Sequence, residues 1–427
     1  MRTSFSLIKN IYIVVTLCIC SFSCGSNVTT HVHSSYKNNE VLTGLDILVN
    51  DNFSQLLGKN IGLITNHTGV NKNFKQNVEL FVNSHNVNLV SIFTPEHGLY
   101  GTNPAGKKIS SGKRYLDIPI YSLYTENKKP NKEMLSNIDI LVYDIQDVGI
   151  RSYTYISTLG LAMESAAEHE LDFIVLDRPN PLGLQKIEGN VLDTTFRSFI
   201  GMYPIPYVYG LTCGELATMI NESGWLDSKK CRLSIIKMKN ISRTADSKFL
   251  FNNWIPTSPH VPNVDTPQYM VATGILGELN VFSIGVGYTL PFRTIAAPWM
   301  DSNLICNELN NFNIPGVTFT PITYKPFYGK YKDAIVNGAQ IHITDLETAN
   351  LILIQFYFLQ AHNKLYPNKN PFKIASIEHI DMFNKALGSN NISKISLKEF
   401  KFADVENFLK LGIDDFAKQA QEFYLYD

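Results

Sequence analysis

The chain has 427 residues, which is too long for one small domain and suits two or three. Hydrophobic residues make up 44% and charged residues 18%, so a sizeable core can form and wholesale disorder is excluded. The net charge of −1, from 37 basic and 38 acidic side chains, argues against a nucleic-acid-binding protein with an overall basic surface.

The N-terminal segment has the pattern of a secretion signal. Two basic residues precede an apolar stretch at residues 11–19, which is too short to span a bilayer. Small residues then precede Cys24, as in bacterial lipoproteins, so we predict a signal peptide over residues 1–23 and lipidation of Cys24. An ordinary secretory signal is the alternative. Residues 24–40 are polar and predict a tether. We expect an outer-membrane lipoprotein facing the periplasm, or one displayed on the cell surface.

From residue 41 onwards, continuously apolar segments alternate with helical patterns. The predicted strands are 60–65, 88–93, 118–123, 138–143 and 172–176, and the predicted helices are 74–85 and 153–169, with a short helical piece at 134–137. Continuously apolar strands separated by helices predict a parallel sheet that is covered on both faces, in the α/β class.

The second half of the chain is less regular. The predicted helices are 213–223, 301–311, 346–362 and 396–422, and the predicted strands are 233–238, 317–322 and 339–343. Residues 252–298 are rich in Pro, Gly and aromatic residues and predict an ordered loop. We predict one domain over residues 41–280 and a smaller α+β C-terminal domain over residues 281–427.

Polar side chains follow four of the predicted strands directly. The four runs are Asn66-His67-Thr68-Gly69, then Thr94-Pro95-Glu96-His97-Gly98, then Asp144-Ile145-Gln146-Asp147 with Gly149-Ile150-Arg151-Ser152-Tyr153, and Asp177-Arg178-Pro179-Asn180-Pro181. Ligands of an open parallel sheet bind beyond the carboxyl ends of its strands. The four runs therefore predict one site at one edge of the sheet.

Glu96 is the favoured catalytic residue of this site. It lies between Pro95 and Gly98, which fix the carboxylate in a rigid loop. A helix cap is its alternative role, but caps are more often Ser, Thr, Asp or Asn. His67 is equally compatible with a role in the site and with a structural role as a buried histidine whose ring nitrogens are hydrogen-bonded.

Each of the other charged residues also has a structural alternative. Either Asp144 or Asp147 is expected to cap the helix that starts near Tyr153. Arg178 can brace its loop through Asp177, whereas Arg151 is the better ligand candidate because guanidinium groups bind carboxylates through two hydrogen bonds.

Several other chemistries have no support in the sequence. It contains no G-x-S-x-G and no H-E-x-x-H motif, and the Gly-Val-Gly at 285–287 is a weak signal for a dinucleotide. The spacing of Glu96, His97, Asp144 and Asp147 does not indicate a metal site. We expect neither a metal nor a cofactor.

Five motifs together resemble the NamZ-type exo-β-N-acetylmuramidases, a family of peptidoglycan exo-hexosaminidases. They are NHTG at 66–69, TPEHG at 94–98, YDIQDVGIRSYTY at 143–155, LDRPNPLG at 176–183 and GELA at 214–217. The resemblance implies a Rossmann-like parallel-sheet domain, a smaller C-terminal domain and an active cleft between them. It also implies a glycoside hydrolase that releases terminal N-acetylmuramic acid from the non-reducing ends of peptidoglycan fragments.

Glycosidic cleavage requires an acid on one side of the sugar and a base or nucleophile on the other. By position and by its motif, Glu96 is the acid. The second group stays open between Asp144 and Asp147, in either an inverting or a substrate-assisted reaction. We assign Arg151 to the anionic lactyl group of the sugar. The candidate substrate-binding residues are Asn66, His67, His97, Gln146, Arg151, Tyr153, Arg178, His260 and Tyr288.

The sequence departs from the general family pattern in two places. Tyr209-Gly210-Leu211-Thr212 has Tyr where many members have His, and the segments Ser258-Pro259-His260 and Gly285-Val286-Gly287-Tyr288 replace S-P-N and an Arg-containing G-R-G. These changes can mark a different saccharide preference.

Two other functions stay open, namely a metal-dependent hydrolase on the same sheet and a non-catalytic, lipid-anchored sugar-binding protein. We expect a peptidoglycan-derived saccharide as partner, contact with the membrane through the lipid anchor only, and no nucleic acid.

Overall fold

A seven-stranded sheet organises the first half of the chain. Its strands are β1 (Asn60–Thr65), β2 (Asn88–Thr94), β3 (Lys113–Tyr115), β4 (Ile118–Ser122), β5 (Ile140–Asp144), β6 (Asp172–Leu176) and β7 (Arg232–Ile236). The strand order is β3-β4-β2-β1-β5-β6-β7, and every neighbouring pair is parallel except the antiparallel pair β3 and β4. The predicted mostly parallel sheet is confirmed.

The computed structural model describes residues 40–104, 106–107, 113–124, 126–245, 250–251, 254–398, 400 and 402–427. Residues Glu40–Asp427 form one compact unit. The predicted signal peptide, the lipidation site Cys24 and the tether up to residue 39 lie outside the described residues. Within the described residues, no helix is both long enough and apolar enough to cross a membrane.

Twelve α-helices are assigned among the described residues. They are α1 (Gly44–Asn50), α2 (Asn77–Val82), α3 (Tyr155–Glu168), α4 (Cys213–Glu222), α5 (Thr266–Glu278), α6 (Ser302–Asn311), α7 (Leu351–Leu365), α8 (Pro371–Ile374), α9 (Ile377–Leu387), α10 (Asn391–Lys398), α11 (Phe402–Leu409) and α12 (Ile413–Ala420). Short 3₁₀ turns lie at Ser54–Leu56, Thr194–Phe196, Pro367–Lys369 and Gln421–Phe423.

A second, smaller sheet lies in the C-terminal part. Its strands β8 (Thr294–Ala297), β9 (Val317–Tyr324) and β10 (Val336–Ile343) are antiparallel, with β10 in the centre. Helix α6 packs on this sheet, and α7 packs on α5. The smaller α+β region expected after the parallel sheet is therefore confirmed.

Two helical predictions in the second half are wrong. Helix α5 occupies part of the segment predicted as a loop. It is buried on several sides against α7 and α9, so its apolar residues do not follow a helical period. The single helix predicted over 396–422 is interrupted after α11, because Gly412 adopts a left-handed φ of 78° before α12 begins.

The order of the parallel strands reverses at β1. The chain proceeds from β1 to β2 and β4 on one side, and to β5, β6 and β7 on the other. Such a reversal forms a crevice between the carboxyl ends of the two central strands, β1 and β5. Thr65 at the end of β1 pairs with Asp144 at the end of β5, so the polar runs that follow these strands start side by side.

Candidate active site

Asp144 is fully buried at this crevice, and both of its carboxylate oxygens are occupied. Oδ1 accepts a hydrogen bond from Arg178 Nε at 2.6 Å, and Oδ2 accepts one from Asn77 Nδ2 at 2.7 Å. A buried, fully paired carboxylate holds its partners in place. Asp144 therefore positions Arg178, and it offers no free oxygen to a substrate or to water.

Arg178 lines a pocket at the crevice together with Thr68, Lys72, Gln146 and Trp254. Its Nη2 donates to the carbonyl oxygen of Val70 at 3.1 Å. The Gln146 amide donates to the carbonyl oxygens of Asp147 and Pro179, at 2.9 and 2.7 Å, which ties the loops after β5 and β6 together.

Glu96 follows β2 and is half-buried. Its Oε1 accepts a hydrogen bond from the Gly106 backbone N–H at 2.9 Å, and its Oε2 accepts one from the Thr154 hydroxyl at 2.9 Å. The Tyr124 hydroxyl also hydrogen-bonds to this carboxylate, and burial together with the negative charge of Glu96 raises the pKa of Tyr124. Three separate segments thus fix one carboxylate, as a rigidly placed proton donor requires.

Thr154 occupies the N-cap position of α3, but its hydroxyl makes no hydrogen bond to the first turn of that helix. The hydroxyl instead reaches Glu96. A threonine cap usually stabilises its helix by about 1 kcal/mol. Because the Thr154 hydroxyl contacts Glu96 and not the helix, it fixes the position of a carboxylate at the cost of local helix stability.

His97 has a strained backbone beside Glu96. Its φ is 71°, in the left-handed region, which costs a residue other than glycine about 1–3 kcal/mol. Its Nδ1 donates to the carbonyl oxygen of Asn103 at 2.7 Å, and the Asn103 amide donates to the His97 carbonyl oxygen at 3.1 Å. Since Nδ1 carries the proton, Nε2 is left as a hydrogen-bond acceptor in the neutral ring.

His67 and His260 lie within the electrostatic influence of His97. His67 Nε2 donates to the carbonyl oxygen of Pro256 at 2.6 Å, and its buried Nδ1 has no partner among the described residues. His260 Nε2 lies 2.5 Å from the Tyr328 hydroxyl. Burial lowers the pKa of both His67 and His260. Both rings are therefore neutral at pH 7.

Tyr328 lies between β9 and β10, so its contact with His260 brings the smaller sheet's loop to the side of the parallel sheet that carries the polar runs. Tyr288 lies in the same region, where its ring stacks on Tyr324 with a centroid distance of 4.5 Å and contacts Phe327.

Two tyrosines and Asn66 brace the segment that carries His260. The Tyr153 hydroxyl donates to Thr257 Oγ1 at 3.0 Å, and the Tyr155 hydroxyl donates to the Thr257 carbonyl oxygen at 2.7 Å. The Asn66 amide donates to the Tyr155 hydroxyl at 3.0 Å. Because Asn66 and Tyr153 are both buried, this geometry favours a supporting role for them.

Asp147 is buried beside Tyr209. Its Oδ2 accepts hydrogen bonds from the Gly149 N–H at 2.7 Å and from the Tyr209 hydroxyl, whereas Oδ1 has no partner among the described residues. Burial raises the pKa of Asp147 to about 6. The contact also shows what Tyr209 does, at the position where many family members have His: it holds the carboxylate of Asp147.

Arg151 does not reach the substrate side, contrary to our expectation. Its side chain is fully buried, with Nη1 donating to the carbonyl oxygens of Asn190 and Ile205 at 2.7 and 2.6 Å. Its Nη2 donates to those of Ala386 and Leu387 at 3.2 and 2.6 Å. The last two residues end α9, where helical carbonyl groups lack partners within the helix. Arg151 therefore joins the loop after β5 to the C-terminal helices.

Several residues around the site had not been predicted. They are Tyr124, Thr154 and Tyr328, and, beside Asp144 and Arg178, Asn77, Lys72 and Trp254. Thr154 directly follows the polar run after β5 and could have been included on that ground. Tyr124 and Tyr328 carry no local sequence signal. In the part of the chain that the structure describes, no three His, Cys, Asp or Glu side chains are grouped so that they could hold a metal ion.

Two family models match the chain. The model for the N-terminal part of the exo-beta-N-acetylmuramidase NamZ matches residues 61–265, and the model for its C-terminal part matches residues 269–426. The chain is 35% identical over 429 aligned residues to the peptidoglycan beta-N-acetylmuramidase NamZ of Bacillus subtilis, with 100% of both chains covered.

Two crystal structures of DUF1343 family proteins from Bacteroides fragilis have the same fold. The first is 43% identical with a TM-score of 0.86, and the match covers 91% of this chain and 100% of that one. The second is 26% identical with a TM-score of 0.70, covering 91% and 99%. Together with the two family models and the motifs at the strand ends, these matches confirm the resemblance: the chain belongs to the exo-β-N-acetylmuramidase NamZ family.

Proposed function

We propose that the protein is an exo-acting glycoside hydrolase that releases terminal, non-reducing β-1,4-linked N-acetylmuramic acid from peptidoglycan fragments during cell-wall turnover and recycling. The observation that carries this proposal is the Glu96 carboxylate, held by three donors at the carboxyl end of the parallel sheet. The family and the name of the Bacillus subtilis relative support the same reaction.

Glu96 acts as the general acid in this proposal. Its proton passes to the glycosidic oxygen as the bond from that oxygen to C1 breaks. The Thr154 hydroxyl suits this role because a hydroxyl can either donate or accept. It can therefore stay hydrogen-bonded to Glu96 whether the glutamate is protonated or ionised.

Arg178 replaces Arg151 as the candidate partner of the lactyl carboxylate. Arg178 lines the pocket at the crevice, and Asp144 and Val70 fix its guanidinium in one orientation. Lys72 lines the same pocket and adds a second positive charge. The lactyl ether is the feature that distinguishes muramic acid from glucosamine, so a guanidinium in this pocket, which Glu40 and Asp46 also line, favours the muramic sugar.

Turnover of 4-nitrophenyl N-acetyl-β-muramic acid, measured beside the glucosamine analogue, tests the proposal. We expect nitrophenol release from the muramic glycoside and little from the glucosamine glycoside. Binding without release would instead favour a sugar-binding protein. Activity that is lost in chelator and restored by metal would favour a metal-dependent hydrolase.

We also propose that the protein is a lipoprotein of the cell envelope, anchored through Cys24 in the outer membrane and facing the periplasm. The apolar stretch followed by Ser23-Cys24 supports this placement. Cys24→Ala should release the protein from the membrane fraction or block its processing. If the variant partitions into membranes as the unchanged protein does, the anchor lies elsewhere.

A further inference from the structure

The proposed reaction requires a second group that accepts a proton, and neither predicted carboxylate is open to a sugar. Both oxygens of Asp144 are hydrogen-bonded inside the protein, and Asp144 is fully buried. Asp147 is almost fully buried, with Oδ2 bound by Tyr209 and Gly149 and Oδ1 sealed from solvent.

Glu278, the last residue of α5, differs from Asp144 and Asp147 in that its carboxylate is not held by hydrogen bonds from the part of the chain that the structure describes. Most of its side chain is buried, its carboxylate accepts no hydrogen bond from any described residue, and its oxygens still reach solvent. Burial raises the pKa of Glu278 to about 7. The carbonyl end of a helix also disfavours a negative charge. A carboxylate in this position destabilises the fold, which indicates that Glu278 is present for its function.

The environment of Glu278 connects it to the loop that holds Glu96. Gly274 lies one turn earlier on the same face of α5, and a Cβ there would be 3.4 Å from the Tyr207 hydroxyl. The Tyr207 hydroxyl accepts a hydrogen bond from Ser152 at 3.1 Å. Burial raises the pKa of Tyr207 to about 12, and the negative charge of Glu278 contributes to this rise.

Ser152 and Thr154 belong to one short segment after β5, and Thr154 contacts Glu96. The Tyr207 hydroxyl, which lies beside α5 and feels the charge of Glu278, contacts this segment at Ser152. Glu96 contacts the same segment at Thr154. Ser152 is partly open to solvent. The two glutamates come from the parts of the chain matched by the two different family models.

We propose that Glu278 is the second carboxylate of the reaction and that it contacts the sugar bound beside Ser152 and Thr154. This inference rests on the proposed function. Glu96 gives its proton to the leaving oxygen. Glu278 takes a proton either from the water whose oxygen bonds to C1, or from the 2-acetamido N–H while the acetamido oxygen bonds to C1 and is later displaced by water. In both routes one proton is given and one is taken.

Glu278→Gln, assayed beside Glu222→Gln, tests the inference. Glu222 is a suitable control because it ends α4 as Glu278 ends α5, but it is exposed and paired with Lys230. Glu278→Gln should lower kcat/KM by about 10²–10⁴-fold, with similar losses for good and poor leaving groups, because it acts on the attacking side. Glu222→Gln should change little.

The melting temperature separates a functional role from a structural one. The pKa of Glu278 is raised from 4.5 to about 7 in the folded state, so its ionisation lowers the stability of the fold as the pH rises from 4.5 to about 7, and this loss stays constant at higher pH. At alkaline pH, Glu278→Gln should therefore keep or raise the melting temperature while losing activity. Added formate should partly restore Glu278→Ala, since it supplies the missing carboxylate.

Two results would overturn the inference: retention of most activity in Glu278→Gln, or loss of activity together with a lower melting temperature and no rescue by formate. Failure of the proposed function would be seen separately. In that case, the unchanged protein itself would not cleave the muramic glycoside.

Discussion

Glu96→Gln should lower kcat/KM for a natural muramic disaccharide by about 10²–10⁴-fold, the usual contribution of a general acid. Glutamine keeps the shape of the side chain. Its oxygen can accept from the Gly106 N–H and its amide NH₂ can donate to the Thr154 hydroxyl, but it has no acidic proton to give. The loss should be much smaller for 4-nitrophenyl N-acetyl-β-muramic acid, because nitrophenolate leaves without protonation. Steady-state rates with both substrates measure the difference.

Glu222→Gln also serves as the control for this experiment, because Glu222 is an exposed residue at the end of α4. Its melting temperature and rates should match those of the unchanged protein. An equal loss for Glu96→Gln with both leaving groups would assign the acid to another residue.

Arg151→Ala should destabilise the fold by about 3–5 kcal/mol, since it leaves four buried carbonyl oxygens without their donor. Burial lowers the pKa of Arg151 to about 10, so the guanidinium is still charged at neutral pH. Arg151→Lys should be nearly as harmful, because one ammonium group cannot reproduce the planar fork that meets all four oxygens. Denaturant unfolding measures both changes.

Arg197→Ala provides the comparison, since Arg197 pairs with Asp227 at the surface and should contribute less than about 1 kcal/mol. In the folded fraction of Arg151→Lys, the preference for the muramic over the glucosamine glycoside should be unchanged. If a stable variant lost this preference, Arg151 would again be the candidate that binds the lactyl carboxylate.

The parallel sheet could be predicted because its strands are buried on both faces and are therefore continuously apolar in sequence. Strand β1 was predicted with the bounds that it has, Asn60–Thr65. The convergence of the polar runs also followed from topology, since parallel strands end at the same edge of a sheet.

The direction of individual side chains could not be predicted in the same way. Arg151 follows a strand end, as a ligand residue would, but its backbone N–H donates to the Tyr207 carbonyl oxygen and its side chain turns into the core. The pairing of Arg151 with Tyr207 joins two segments that are far apart in the sequence, and no pattern near Arg151 indicates it. Tyr328 also reaches the site from a distant element. Helix α5 was not predicted because a helix buried on several sides has no polar face to reveal its period.

The uncapped start of α3 affects the charge that Glu96 would carry after the proposed proton transfer. In the proposed reaction, Glu96 becomes an anion after it has given up its proton, at the amino end of a 14-residue helix whose first backbone N–H groups do not donate to the Thr154 side chain. The partial positive charge there favours a nearby anion by about 0.3–1 kcal/mol. This stabilisation of the new charge requires no movement of the chain, because the helix end already lies beside Glu96 through Thr154.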